Sequence, residues 1–249
     1  MEQTKQKPTQ RQRMLIVLCL VFLVGFLHVT FFRSSFYAAD ITINLWIPTV
    51  QSSFLIFLSE GIALIFDTTS LSLFSIVIAG VLFLKNYKAH GLLLLGAMAG
   101  DALIVSVIKT LDHIARPTNR IILDTGFSYP SGHAAGSIVF LGILAYFALR
   151  HWRSQRSKVS VGIGMGLLVG VVGFDRLYLN VHWLSDVIGG WLFGAFWLLF
   201  AVLVFQRLES AKKLESSRFR LLANVLFVGA VGVSAIIIAL GLFGNVLPT

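Results

Sequence analysis

Long apolar segments follow one another through this sequence and restrict the fold to one class. A helix needs about 20 apolar residues to cross the hydrocarbon core of a bilayer, and about 17 to 25 are tolerated. The chain is 57% hydrophobic and 12% charged, against about 25% charged residues in soluble domains. These features predict an all-α polytopic membrane helix bundle, with six core transmembrane helices and a seventh at the C-terminal end. Five segments have the full length and two shorter ones carry no charge: residues 14–32, 91–110, 133–149, 187–205 and 221–243, then 70–84 and 159–174.

Lysine and arginine are distributed unevenly between the two ends of these predicted helices. Fifteen of the 20 fall on the end that holds the N-terminal tail, and only five fall on the other: Arg33, Lys109, Arg116, Arg120 and Arg176. The positive-inside rule places the richer end in the cytoplasm. We therefore expect a multi-pass cell-membrane protein with a cytoplasmic N-terminus. The net charge of +9 then reflects topology and does not indicate a nucleic-acid partner.

The same pattern divides the chain into three parts. Residues 1–13 are predicted to be a basic cytoplasmic tail, 14–205 a membrane domain, and 206–249 a basic cytoplasmic loop followed by the C-terminal helix. Residues 14–32 are longer than a typical signal core and lack a small-x-small cleavage site, which favours an uncleaved anchor. Residues 40–66 are either an interfacial helical hairpin over the mouth of the bundle or a partly buried loop helix.

A first motif, KTLDHIARP, contains Lys109, Arg116 and Pro117. On a helix, a spacing of seven places the two cations on one face, two turns apart, before the proline ends or bends the helix. Arginine is a planar clamp for phosphate oxygens and lysine a point charge. The alternative is a pair of cations whose charged ends reach the interface while their stems lie along apolar surface.

A second motif, YPSGH, directly precedes the segment at 133–149. Ser131 and Gly132 would lie at a helix N-terminus, where unpaired amides and the helix dipole favour an anion. His133 would then point at the same anion. The alternative is an ordinary serine N-cap beside an incidental histidine.

A third motif, DRLYLNVHWLSD, contains Arg176, His182 and Asp186. His182 and Asp186 are four residues apart, which places them on one face of a helix. A carboxylate there accepts the Nδ1 proton, fixes the tautomer and makes Nε2 a better nucleophile. The alternative is a polar helix start at the outer interface.

All three motifs fall at the outer ends of neighbouring predicted helices. Three cations, two histidines and a carboxylate suit the cleavage of a phosphate ester, and the transmembrane setting indicates a lipid substrate. The motifs resemble those of the type 2 phosphatidic acid phosphatase superfamily: Lys-x6-Arg-Pro, Pro-Ser-Gly-His and Ser-Arg-x5-His-x3-Asp. The resemblance extends over about residues 40 to 205.

The resemblance implies a metal-independent phosphoryl transfer in two steps, without a cofactor. His182 would form a phosphohistidine, Asp186 would orient it, and His133 would act first as acid and then as base. The phosphate would be held by Lys109, Arg116 and Arg176 and by the amides of Ser131 and Gly132. In agreement, the sequence has no metal-ligand cluster, and its single cysteine excludes a cysteine-rich zinc site.

The family acts on several lipid phosphates. With the site outside the cytoplasm, we expect undecaprenyl diphosphate, whose hydrolysis recycles the cell-wall carrier, to enter from the bilayer. One alternative is a phosphatase of broad specificity that cleaves phosphatidylglycerophosphate or phosphatidate. Another is a catalytically weak relative that binds lipid phosphates. The sequence makes no prediction of oligomeric state.

Two carboxylates leave questions open. Asp175 stands where the family has serine, and it either pairs with Arg176, weakening the hold on phosphate, or faces away. Asp101 lies within a predicted span, where a carboxylate is either functional or paired with a nearby serine or carbonyl. The seventh helix also exceeds the six spans common among membrane members of the family.

Overall fold

A computed structural model describes residues 9–151 and 154–210. In this part of the chain the regular structure is helical, as predicted, and includes eight α-helices. They are α1 (Gln10–Phe31), α2 (Tyr37–Trp46), α3 (Ser53–Ile65), α4 (Thr68–Leu84), α5 (Lys88–Asp112), α6 (Gly132–His151), α7 (Gln155–Tyr178) and α8 (Leu184–Ser210). The predicted helix at 221–243 and most of the predicted basic tail and loop lie outside the described residues.

Five of these helices, α1, α5, α6, α7 and α8, are long and apolar enough to cross a membrane. Helices α3 and α4 pass the same test together, with a bend of 48° between them, and give a sixth span if they are counted as one. The prediction of a polytopic helical membrane protein is therefore confirmed.

Helix α8 packs most extensively against α1 and α6. Its contact with α6 is close because two glycines lie there. A Cβ atom at Gly190 would lie 2.6 Å from the Ser131 carbonyl oxygen, and one at Gly194 would lie 2.7 Å from that of Ala135. Small residues allow helix backbones in membranes to approach in this way.

Helix α7 also carries glycines at four-residue spacing, and the same reasoning predicts tight packing for them. The prediction is wrong within the described residues, because a Cβ atom at Gly162, Gly166 or Gly170 would meet nothing within 4 Å. Spacing identifies a smooth helix face, but it does not identify which neighbour covers that face.

Residues 37–65 cover the end of the bundle at which the three motifs lie. Asp40 of α2 accepts hydrogen bonds from the Ser185 amide and hydroxyl, both at 2.8 Å, and so fixes α2 to the start of α8. Burial raises the pKa of Asp40, and the bonds from Ser185 oppose that rise. Helix α3 contacts α7 and continues through the bend into α4. The segment therefore contains two helices, and the second, α3, forms a bent pair with α4.

Candidate active site

The loop between α5 and α6 brings the first motif to the other two. Helix α5 ends at Asp112 because His113 adopts a left-handed conformation, with φ of 51°. Lys109 and Arg116 therefore do not share a helix face, and that prediction is wrong. The loop instead folds back, with Trp183 Nε1 donating to the Ala115 carbonyl at 2.8 Å.

Both carboxylate oxygens of Asp186 are hydrogen-bonded within the site. Its Oδ2 accepts from the Trp183 amide at 2.8 Å and from the Ser128 hydroxyl, and it lies 3.3 Å from His182 Nδ1. Its Oδ1 accepts from Arg33 Nη2 at 2.6 Å. His182 precedes the first turn of α8, so the pair meets across a helix start and not along one helix face. The expected His182–Asp186 contact is nevertheless present.

The partners of His182 define its tautomer. Arg116 Nη1 lies 3.2 Å from His182 Nε2, and a guanidinium can only donate, so Nε2 must accept. The ring proton is then on Nδ1, directed at Asp186 and shared with the Ser128 oxygen at 3.3 Å. Burial is the main cause that lowers the pKa of His182 to about 4, while Asp186 opposes the shift. The lone pair of the neutral imidazole is thus on Nε2, where Arg116 donates to it.

His133, the second residue of α6, has mixed partners at one nitrogen. Its Nε2 lies 3.2 Å from Arg176 Nη1, which donates, and 3.2 Å from the Ala63 carbonyl oxygen, which accepts. Asp67 Oδ1 is 3.9 Å away. An unprotonated Nε2 satisfies the arginine, and a protonated Nε2 satisfies the carbonyl and the carboxylate. The surroundings therefore accommodate both protonation states.

Each of the three predicted phosphate-binding cations has partners within the protein. Lys109 Nζ donates to the carbonyl oxygens of Phe127 and Ser128, at 2.6 and 3.2 Å. Arg116 pairs with Asp124 at 2.9 Å, and it also donates to the Val181 carbonyl oxygen. Burial lowers the pKa of Arg116, and Asp124 opposes that effect. A phosphate must therefore displace or share existing acceptors.

Arg176 is paired with the residue that departs from the family pattern. Its Nε donates to Asp175 Oδ2 at 2.9 Å, and its Nη2 donates to the same oxygen. Both side chains are buried. Of the two alternatives that the sequence left open, the structure shows the pairing, which directs most of the guanidinium fork to a carboxylate.

The predicted amide donors differ in availability. The Ser131 amide donates to the Asp186 main-chain carbonyl at 3.0 Å, so it is not free for phosphate. The Ser131 hydroxyl accepts from the Ala134 amide at 3.5 Å, as a helix cap does. Gly132, the first residue of α6, keeps its amide outside the helical hydrogen-bond ladder. A phosphate bond from the Ser131 amide stays a prediction, and it would require this amide to exchange its bond to α8.

Three side chains of the site were missed by sequence reasoning. Arg33 stood out as an outer cation against the charge rule, but no motif included it. Ser128 lies two residues before the PSGH string and offered only its proximity. Asp124 gave no signal, because its role depends on how the loop folds.

Asp101 lies in α5, buried, and its Oδ2 faces Gly136 of α6. Its Oδ1 has no hydrogen-bond partner among the described residues. One alternative for Asp101 was a hydrogen bond to a nearby serine or carbonyl. Within the described part of the chain, Oδ1 makes no such bond.

Comparison with known proteins agrees with the motifs. Residues 90–210 match the sequence model of the PAP2 superfamily, which confirms the resemblance to type 2 phosphatidic acid phosphatases. The chain is 34% identical to phosphatidylglycerophosphatase B of Bacillus subtilis over 127 residues, and 31% identical to an undecaprenyl-diphosphatase of Sulfolobus acidocaldarius over 146 residues. These alignments cover 50% and 56% of this chain, and 62% and 66% of the relatives, less than two thirds of either.

The fold also has a counterpart among solved structures. The crystal structure of a transmembrane PAP2-type phosphatidylglycerolphosphate phosphatase from Bacillus subtilis superposes with a TM-score of 0.71 and 24% identity. The match covers 76% of this chain and 96% of that one. It shows that the helical architecture is shared.

Proposed function

We propose that this chain, whose residues 90–210 form a PAP2 superfamily domain, is an integral membrane phosphatase that hydrolyses lipid phosphates through a phosphohistidine. The observation that carries the proposal is the contrast between the two imidazoles. His182 Nε2 faces a donor, whereas His133 Nε2 faces both a donor and acceptors. The first arrangement suits a nucleophile, and the second suits a group that gives and takes a proton.

In the first step, the Nε2 lone pair of His182 attacks phosphorus, and the bond from phosphorus to the leaving oxygen breaks. His133 gives its Nε2 proton to that oxygen. The phosphorylated ring keeps its Nδ1 proton and becomes cationic, so the Asp186 carboxylate beside it stabilises the intermediate. Covalent catalysis commonly combines a nucleophile with a neighbouring group that orients it, and here Asp186 orients His182.

In the second step, water attacks phosphorus while His133 Nε2 takes one of its protons. The nitrogen–phosphorus bond breaks, inorganic phosphate leaves and His182 regains its lone pair. His133 is then protonated again, ready for the next substrate. One imidazole thus serves both as acid and as base, which is general acid–base catalysis in its usual form.

Lys109, Arg116 and Arg176 stabilise the charge on the equatorial phosphate oxygens, and the Gly132 amide at the start of α6 adds a fourth donor. Preorganised cations and dipoles of this kind provide much of the catalysis in phosphoryl transfer. The Asp124 and Asp175 carboxylates hold two of the cations until substrate arrives.

The site faces the side of the membrane opposite the N-terminus, and the uneven distribution of lysine and arginine supports an extracytoplasmic location. A cysteine-accessibility experiment tests this. In a Cys19→Ala background, Thr118→Cys should react with an impermeant maleimide in intact cells, and Lys85→Cys should react only after lysis. The reverse pattern would place the site in the cytoplasm.

The preferred substrate is undecaprenyl diphosphate, which enters laterally from the bilayer while its chain remains among the helices. The name of the Sulfolobus relative supports this choice. The name of the Bacillus relative supports the second candidate, phosphatidylglycerophosphate. Both share the terminal phosphate that the site would hold.

Phosphate release by the purified, detergent-solubilised chain in EDTA tests the activity. Undecaprenyl diphosphate, phosphatidylglycerophosphate and phosphatidate should be compared side by side, with His182→Ala as the control. We expect release that survives EDTA, disappears in His182→Ala and is fastest for undecaprenyl diphosphate. Activity that requires a metal ion would contradict the mechanism, and a different ranking would change the substrate.

A weakly active binding protein is the second candidate, and the Asp175–Arg176 pair is the observation that favours it. Such a protein would bind the lipid phosphates without measurable release. Recovery of release in Asp175→Ser would then identify that carboxylate as the cause.

A further inference from the structure

Arg33 lies directly after α1, far from the three motifs in sequence, and yet it contacts the centre of the site. Its Nη2 donates to Asp186 Oδ1 at 2.6 Å, and Asp186 is completely buried. The other oxygen of Asp186 is bonded to Ser128, Trp183 and His182. Among the described residues, Arg33 is the side chain that holds Oδ1, so it completes the surroundings of the carboxylate.

The guanidinium of Arg33 is itself fixed by aromatic packing. It lies over the ring of Tyr129, 5.0 Å from the centroid. Tyr129 is buried, stacks on Phe26 at 6.2 Å and shares a 2.7 Å hydrogen bond with Thr30. Phe26 and Thr30 belong to α1, which ends at Phe31, two residues before Arg33. The arginine is therefore part of a packed cluster and differs from a cation at a solvated rim.

Tyr129 also connects this cluster to α8. A Cβ atom at Gly189 would lie 2.5 Å from the Tyr129 ring, so the ring lies against the α8 backbone close to Asp186. A guanidinium between this ring and a carboxylate has little freedom to rotate. Stacking and a single charged bond together fix the direction in which Oδ1 points, and hence the direction of Oδ2.

We propose that Arg33 is a positioning residue that holds the Asp186 carboxylate with Oδ2 turned toward His182 Nδ1. The inference rests on the proposed function, because its effect is on formation of the phosphohistidine. Without Arg33, Oδ1 would lose this bond, and only the bonds to Oδ2 would oppose rotation of the carboxylate about its Cβ–Cγ bond. The imidazole would then lose its fixed orientation toward phosphorus.

The effect is expected in the chemical step and not in binding. Arg33→Met removes the charge and keeps an unbranched side chain, and kcat should fall by about 10- to 100-fold, as a misplacement near 1 Å does. KM should change by less than about threefold, because the phosphate is held by other cations. Arg33→Lys keeps the charge but loses the planar stacking, so its kcat should lie between that of Arg33→Met and that of the wild type.

Arg120→Met is the matched control. Arg120 is the other outer arginine outside the motifs, and it donates to the Pro117 carbonyl at 3.1 Å. It is expected to keep wild-type kcat. Thermal unfolding and gel filtration of all variants would identify any that fail to fold, and Arg33→Lys keeps the test valid if Arg33→Met does not fold.

A double-mutant cycle provides the decisive measurement. In an Asp186→Ala background, which has no side-chain acceptor left to position, Arg33→Met should change the residual kcat by less than about threefold. A full loss in both backgrounds would overturn the inference, as would a rise in KM with unchanged kcat, which would make Arg33 a phosphate ligand. Equal kcat for Arg33→Met and Arg120→Met would overturn it as well. A wild-type chain that releases no phosphate from any of the three lipids would overturn the proposed function itself.

Discussion

The two histidines of the site lie at the starts of neighbouring helices, but their surroundings differ in a way that their sequence motifs do not show. Both nitrogens of His182 have partners that agree on one protonation state. The Nε2 of His133 has partners that disagree, one donating and one accepting. Two chemically identical side chains thus acquire different capacities from their neighbours, and the predictions below test that difference.

The largest loss is expected when the nucleophile is removed. His182→Ala should lower kcat by at least about 10⁴-fold, as loss of a nucleophile does elsewhere. It should also abolish acid-labile labelling of the protein by a lipid with a ³²P-labelled terminal phosphate. His28→Ala, at an exposed position of α1, is the matched control and should retain both. Labelling that persists in His182→Ala would assign the nucleophile to another residue.

A smaller loss, which depends on the substrate, is expected at the other histidine. His133→Ala should lower kcat by about 10²- to 10⁴-fold for phosphatidate, whose leaving alkoxide needs a proton. For undecaprenyl diphosphate the loss should be smaller, because a phosphate group is a better leaving group. Parallel assays of the two lipids provide the measurement. Equal losses on both would contradict the role of His133 as general acid.

A gain is expected where the third motif departs from the family pattern. Asp175→Ser should release two donors of Arg176 for the phosphate and lower KM by about three- to tenfold, where tenfold corresponds to 1.4 kcal/mol. Asp175→Asn removes the same charge at nearly equal volume and should change KM in the same direction. Steady-state kinetics with phosphatidylglycerophosphate would show it. A higher KM in both variants would mean that Asp175 holds Arg176 in its working position.

The smallest effect concerns pH. Because burial lowers the pKa of His182 to about 4, the nucleophile stays neutral until the pH falls through that value. Between pH 6.5 and 5, kcat/KM should therefore fall by less than about twofold. A histidine with an unshifted pKa would instead lower kcat/KM by more than about tenfold over the same range. Measuring the pH profile of kcat/KM with a monophosphate lipid and with a diphosphate lipid distinguishes an acid limb caused by the enzyme from one caused by ionisation of the substrate. An acid limb near pH 6.5 with both lipids would show that His182 is more hydrated than the structure indicates.

Much of the architecture could be predicted from the sequence because its signals are local. Apolar length predicts the spans, and the spacing of His182 and Asp186 predicts their contact. The spacing of Lys109 and Arg116 wrongly predicted a shared helix face, also for a local reason. Helix α5 ends before Arg116, with His113 as its C-cap, and the loop that follows places Arg116 beside His182. Periodicity describes a helix only as far as the helix continues.

Other site contacts join residues that are distant in sequence, and no spacing rule predicts them. The Ser131 amide is bonded to the Asp186 carbonyl because two glycines allow α6 and α8 to approach closely. Arg33 meets Asp186 because α1 packs along α8. Such contacts follow from which helices are neighbours, and that depends on the packing of the whole bundle.

The contact between Arg33 and Asp186 also has a consequence for biosynthesis. The two residues are 153 positions apart, so at about 5 to 20 residues per second the ribosome makes Arg33 about 8 to 30 s before Asp186. During that interval the arginine lacks the carboxylate that neutralises it in the finished protein. A nascent or truncated chain that lacks α8 therefore carries this charge without its partner, and insertion of α8 both completes the site and supplies the neutralising carboxylate.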